Sequence, residues 1–136
     1  MEHLTKIEHL GIAVKSLEEG NALYTKILGI PPYKQEVVDT EGVRTSFFKV
    51  GSTKIELLEA THGDSPIAKF IEKRGEGLHH VAYAVDDIKA EMARLAQEGF
   101  RLLNAEPKEG ADNKWVCFLH PKDTGGTLIE LCQDRG

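Results

Sequence analysis

The chain runs to 136 residues, 40% of them hydrophobic and 29% charged, which suits one folded domain spanning residues 1–136 and excludes the disordered and membrane-embedded classes. A net charge of −5, with no basic block carrying interleaved aromatics, argues against a nucleic-acid partner. The opening Met1-Glu2-His3-Leu4-Thr5-Lys6 has neither an apolar core nor a small-residue cleavage site, so a cytoplasmic protein with no membrane partner is expected.

In chain order, residues near 5–14 are rich in strand formers and bounded by polar residues, which predicts a strand. Ser16-Leu17-Glu18-Glu19 fits a capping box, and Leu17, Tyr24, Ile27 and Leu28 then recur at helical spacing until Gly29. Strand-like segments follow near 33–39, 44–50 and 53–59. Asp64-Ser65-Pro66-Ile67-Ala68-Lys69-Phe70-Ile71 predicts a connecting helix over about 65–74, with Ser65 as N-cap, Pro66 at the first position and Gly75 past the end. A strand near 79–85, a helix near 87–98 closed by Gly99, and strands near 101–105, 114–119 and 127–132 complete the chain. Cys117 and Cys132 fall inside apolar strand-like stretches without zinc-type spacing and read as buried thiols.

The two halves share one plan. His9-Leu10-Gly11-Ile12-Ala13-Val14 lines up with His80-Val81-Ala82-Tyr83-Ala84-Val85 at an offset of 71 (80 − 9). Thr53-Lys54-Ile55-Glu56-Leu57-Leu58 lines up with Thr127-Leu128-Ile129-Glu130-Leu131-Cys132 at 74 (127 − 53). The expected fold is α+β: two tandem β-α-β-β-β modules, about 5–60 and 78–134, forming a metal-binding cleft.

The repeated residues carry the chemistry. Side chains alternate along a strand, so Leu10, Ile12 and Val14 share one face while His9 shares the other with Gly11 and Ala13. The second half does the same with His80, Ala82 and Ala84. A histidine opening a row of small residues leaves space above that face, which a site needs and a core avoids. Glu56 and Glu130 each interrupt an apolar strand, where a carboxylate is costly unless it meets water, a cation or a metal. Solvent exposure would explain one such glutamate. Two of them, each matched to a histidine, point to His9, Glu56, His80 and Glu130 as ligands of a divalent ion such as cobalt, manganese, nickel, iron or zinc. His120, before Pro121 at a strand end, is the other histidine placed to touch a substrate, and Trp115 and Phe118 suit the core or a cleft wall.

With these residues in hand, the sequence resembles the vicinal-oxygen-chelate superfamily of glyoxalases, bleomycin resistance proteins and dioxygenases. Within it the chain is similar, over essentially its whole length, to the methylmalonyl-CoA epimerase family. The carrying stretches include Ile7-Glu8-His9-Leu10-Gly11-Ile12-Ala13-Val14, Asp64-Ser65-Pro66-Ile67-Ala68-Lys69-Phe70, Gly77-Leu78-His79-His80-Val81-Ala82, and Phe118-Leu119-His120-Pro121-Lys122 followed by Gly125-Gly126-Thr127-Leu128-Ile129-Glu130-Leu131. The resemblance implies epimerisation at C2 of an acyl-CoA substrate, one divalent metal ion per chain with cobalt favoured, a homodimer, and Glu130 as both ligand and base. It leaves His120 and Lys122 as candidate substrate contacts. Some members carry a second glutamate on the strand after a Gly-Val pair; the matching place after Gly42-Val43 holds Thr45, which leaves Glu36, Glu41 or a metal-bound water as candidates for the group on the opposite face. The ligand quartet also suits a glyoxalase I type isomerase, and the same fold serves metal-free antibiotic-binding modules, so both stand as alternatives.

Overall fold

Each half of the chain folds as its repeat requires. The computed structural model describes residues 3–136, in the order β1 (Lys6–Ala13), α1 (Leu17–Leu28), β2 (Lys34–Val38), β3 (Val43–Val50), β4 (Thr53–Ala60), α2 (Pro66–Arg74), β5 (Gly77–Ala84), α3 (Ile88–Gln97), β6 (Lys108–Gly110), β7 (Lys114–Leu119) and β8 (Leu128–Asp134). The helix starts are the expected ones. Ser16 Oγ accepts from the Glu19 N–H at 3.2 Å, Ser65 Oγ from Ala68 at 3.2 Å and Asp87 Oδ1 from Ala90 at 3.1 Å, each satisfying a backbone donor that the helix cannot. Gly29 ends α1 at φ 75, a left-handed conformation that favours glycine. Among the described residues no helix is long and apolar enough to cross a membrane.

The chain divides into two compact units. The first, His9–His79, is a sheet in the order β2-β3-β4-β1. Here β1 runs parallel to β4, placing Gly11 against Glu56, and β3 runs antiparallel to β4, placing Phe47 against the same glutamate. One sheet face packs under α1, where Val14, Leu17, Phe48 and Leu57 are buried with Ile12, Tyr24, Leu28 and Ile55 around them. Each such side chain contributes about 1.5–3 kcal/mol when fully withdrawn from water. Ile27 keeps its helical spacing but lies 63% exposed, so it does not belong to the buried stripe.

The second unit takes the chain up to Glu8 together with His80–Gly136, its sheet in the order β5-β8-β7-β6. Again the first and last strands are parallel, with Ala82 against Glu130, and β7 is antiparallel to β8, with Phe118 against Glu130. Val85, Ile88, Met92, Leu95, Cys117, Leu119 and Leu131 form its helix-side core, with Trp115 packed against it. Both cysteines are free and buried, as expected.

One expected strand fails. Residues near 101–105 make only a single bridge, Leu102 to Leu119, and the short β6 forms later, at Lys108–Gly110. The cause is Asn104, whose amide substitutes for the ladder: Oδ1 accepts from the Phe118 N–H, while Nδ2 donates to the carbonyls of Val116 and Glu106. Pro107 follows, without a donor of its own. The backbone therefore detours around a side chain where an uninterrupted strand was expected.

Candidate metal centre

In the first unit, His9 Nε2 and Glu56 Oε1 lie 3.3 Å apart, with 6% of each side chain exposed. In the second, His80 Nε2 and Glu130 Oε1 lie 3.0 Å apart, at 4% and 7% exposure. The bland alternative for the glutamates, an outward position in water, does not hold for either. Each pair is set by a parallel β ladder. The glutamate sits opposite the small residue two places after the histidine, Gly11 in one unit and Ala82 in the other, so imidazole and carboxylate meet diagonally above a gap.

The donor chemistry fits a divalent transition ion. Two ligands bound side by side at about 2.1 Å are separated by about 3.0 Å, close to the spacing within each pair. Neutral imidazole nitrogen and carboxylate oxygen are the ligands such ions accept. Burial of each carboxylate carries a desolvation cost, which the neighbouring imidazole offsets in part and a cation would offset further.

Around each pair the register brings in further residues, among them Phe118, expected in the core or a cleft wall. Phe47 faces Glu56 and Phe118 faces Glu130, and 118 − 47 gives 71, the offset of the histidines. Phe118 meets the His80 ring edge-on, with centroids 6.0 Å apart at 86°. One strand further out, Glu36 stands opposite Thr45 and Lys108 opposite Val116, where 116 − 45 is 71 and 108 − 36 is 72. Lys108 Nζ lies 5.6 Å from the Phe118 ring centroid. The offset, between 71 and 74, was available in the sequence; Glu36 and Lys108 are unlike, so no identity marks them as equivalents.

The remaining site candidates divide. His120 caps a single 3₁₀ turn at Pro121–Asp123, its Nδ1 accepting from the Lys122 N–H at 3.2 Å. This gives the His120 ring a structural role and the Lys122 backbone a fixed partner. His79 turns away from His80, as alternation along a strand requires, and meets Phe70 of α2 edge-on with centroids 5.0 Å apart. Thr45 is fully buried and its hydroxyl donates to the Glu36 carbonyl at 3.4 Å.

Comparison with known proteins gives this arrangement a family. Residues 8–118 match the Glyoxalase/Bleomycin resistance protein/Dioxygenase superfamily. The chain belongs to that superfamily. Among its members, the human mitochondrial methylmalonyl-CoA epimerase is 42% identical over 132 residues, covering 96% of this chain and 75% of that one. The ethylmalonyl-CoA/methylmalonyl-CoA epimerase of Cereibacter sphaeroides is 44% identical, over 94% of this chain and 97% of the other. A solved superfamily structure, the Streptomyces coelicolor methylmalonyl-CoA epimerase in complex with 2-nitronate-propionyl-CoA, superposes with a TM-score of 0.94 at 36% identity, covering 98% of this chain and 99% of that one.

Proposed function

We propose that this chain is a metal-dependent epimerase that inverts C2 of methylmalonyl-CoA, a cytoplasmic enzyme working as one domain over residues 1–136. The observation that carries the reading is the duplicated, buried His–Glu pair in a chain whose near-full-length relatives are epimerases of this substrate. His9, Glu56, His80 and Glu130 together hold one divalent ion, cobalt being favoured by the family resemblance. When bound, such an ion supplies Lewis-acid stabilisation of the negative charge that grows on the thioester oxygen.

The chain's own residues do the rest. The C2 proton of a malonyl thioester is acidic because its carbanion delocalises into the thioester as an enolate. Glu130, anchored between Ala82 and Phe118 on neighbouring strands, takes that proton as a general base. Phe118 covers one side of the His80–Glu130 pair and keeps water from it. The acyl-CoA is the partner, and two chains associate as a homodimer.

The test compares substrates. Cobalt-loaded protein is given a single epimer of methylmalonyl-CoA and, separately, the hemithioacetal of methylglyoxal and glutathione. Conversion of the first to an epimer mixture, lost on chelation and restored by cobalt, supports the reading. Turnover of the hemithioacetal alone makes the chain a glyoxalase, and binding without turnover or metal response makes it a binding module.

A further inference from the structure

Removal of a proton from C2 by Glu130 brings two like charges together. The free carboxylate of the substrate is bonded to C2 itself, so a base within reach of the C2 proton also lies close to that carboxylate, and their repulsion opposes binding. Resting on the epimerase reading, we propose that Lys108 binds the free carboxylate and so selects malonyl-type thioesters from other acyl-CoAs.

All the residues concerned belong to the second unit. Directly paired residues on neighbouring strands send their side chains to the same face of a sheet. From Glu130 the site face runs to its partners Ala82 and Phe118, two residues along β7 to Val116, and across to Lys108 on β6. Cys117, Leu119 and Leu131 fill the opposite face, under α3. Lys108 Nζ stands 5.6 Å from the Phe118 centroid, within the range at which a ring face attracts an ammonium. The same ring meets His80 edge-on at 6.0 Å and lies opposite Glu130. The ammonium is therefore one aromatic ring away from the His80–Glu130 pair.

The segment before β6 delivers it there. Asn104 fastens the chain to β7 through the Phe118 N–H and the Val116 carbonyl, Pro107 restricts the backbone that follows, and Lys108 opens β6 opposite Val116. Among the described strand residues of this face, the lysines are Lys108 and Lys114. Lys114 lies at the far end, held by Asp134 and by Glu8 at 3.9 Å. The repeat also reverses charge at Lys108, since Glu36 occupies the equivalent place in the first unit.

Two anionic parts of an acyl-CoA could meet a lysine. The CoA phosphates are separated from C2 by the whole pantetheine arm, whereas the carboxylate is attached to C2, so a lysine held over Phe118 serves the nearer group. The carboxylate keeps its charge from bound substrate to enolate. The ion pair is thus equally strong in both, and it lowers KM without raising kcat.

The test compares cobalt-loaded wild type, Lys108→Gln and Lys108→Arg in the epimerisation of methylmalonyl-CoA. Propionyl-CoA, which keeps the CoA and the thioester but lacks the carboxylate, serves as competitive inhibitor. Lys108→Gln should raise KM about 10–100-fold, as loss of a charge-assisted hydrogen bond does, with kcat changed less than about threefold. Its Ki for propionyl-CoA should stay within about twofold of wild type, and Lys108→Arg, which keeps the charge, should recover most of the lost affinity. The ratio of KM to Ki is taken within one protein and does not depend on how much of it is folded. An unchanged ratio in Lys108→Gln overturns the inference: with both constants raised Lys108 contacts CoA, and with neither raised it touches no part of the substrate. A fall in kcat alone also overturns it. A wild type that does not invert C2 removes the epimerase reading, and this inference with it.

Discussion

Phe118 stands directly opposite Glu130 across the β7–β8 ladder, as Phe47 stands opposite Glu56 across β3–β4. The two rings differ in burial: Phe47 is fully withdrawn from solvent, whereas Phe118 is only partly so. Phe47→Ala should cost about 3–5 kcal/mol, since a large cavity opens at a site with no solvent to refill it. Phe118→Ala should cost less stability and instead expose the His80–Glu130 pair to water. Urea midpoints at constant m value check the difference, and an equal loss for both would contradict it.

Two left-handed glycines should respond unequally to alanine. At Gly42 (φ +65) an added Cβ would lie 2.8 Å from Ser65 Cβ and 3.0 Å from His62 Nε2, whereas at Gly29 (φ +75) it meets nothing within 4 Å. Gly29→Ala should lose only the conformational preference, about 1–2 kcal/mol. Gly42→Ala adds steric overlap against the buried cap of α2, raising the loss by about 1–3 kcal/mol. Denaturant melts of the two variants give the comparison directly.

The two thiols should stay unreactive and unpaired. Cys117 is opposite Leu131 and Cys132 opposite Val116, so they project from opposite faces of adjacent strands and no disulfide joins them. Burial pushes the Cys117 thiol up from 9.0 to about 11, partly opposed by a backbone hydrogen bond at Asn104 and the charge of Lys108. Because the folded value is the higher one, its stabilising effect is complete below about pH 9 and disappears between about 9 and 11. A thiol reagent at pH 8 should find no group in native protein and two after unfolding; fast labelling of native protein would contradict this.

Asp123 ties the turn after α3 to the His120–Asp123 segment, accepting from the Arg101 backbone N–H at 2.8 Å and from Nε and Nη2 at 3.0 and 2.8 Å. Those hydrogen bonds hold its carboxyl at about 2, below the ordinary 3.8. The folded value is depressed, so this contribution is present above about pH 3.8 and lost as pH falls toward 2. Asp123→Ala should therefore speed amide exchange near residues 101–103 and 120–124 at neutral pH, and the variant should lose less on acidification than the parent protein.

Much of this was legible beforehand, for identifiable reasons. Strong local signals fixed the helices, since Ser16, Ser65 and Asp87 are side chains that cap in almost any context. The His–Glu pairs were legible because the repeat preserved residue type as well as spacing. The strand near 101–105 was not, because Asn104 competes with the backbone through hydrogen bonds to residues a dozen or more positions away. Ile27 misled in the other direction: helical spacing says which residues share a stripe, not how wide the buried stripe is. The equivalence of Glu36 and Lys108 emerged only through register, because it is positional.

The most direct test is C2 deuterium incorporation into a single epimer of methylmalonyl-CoA by chelator-stripped protein, cobalt-restored protein and a cobalt-restored Glu130→Gln variant. Rapid labelling with inversion in the restored protein is predicted, with neither above background in the stripped protein. The variant should lose inversion. Full inversion without metal, or by the Glu130→Gln variant, would contradict a centre built on the paired histidines and glutamates.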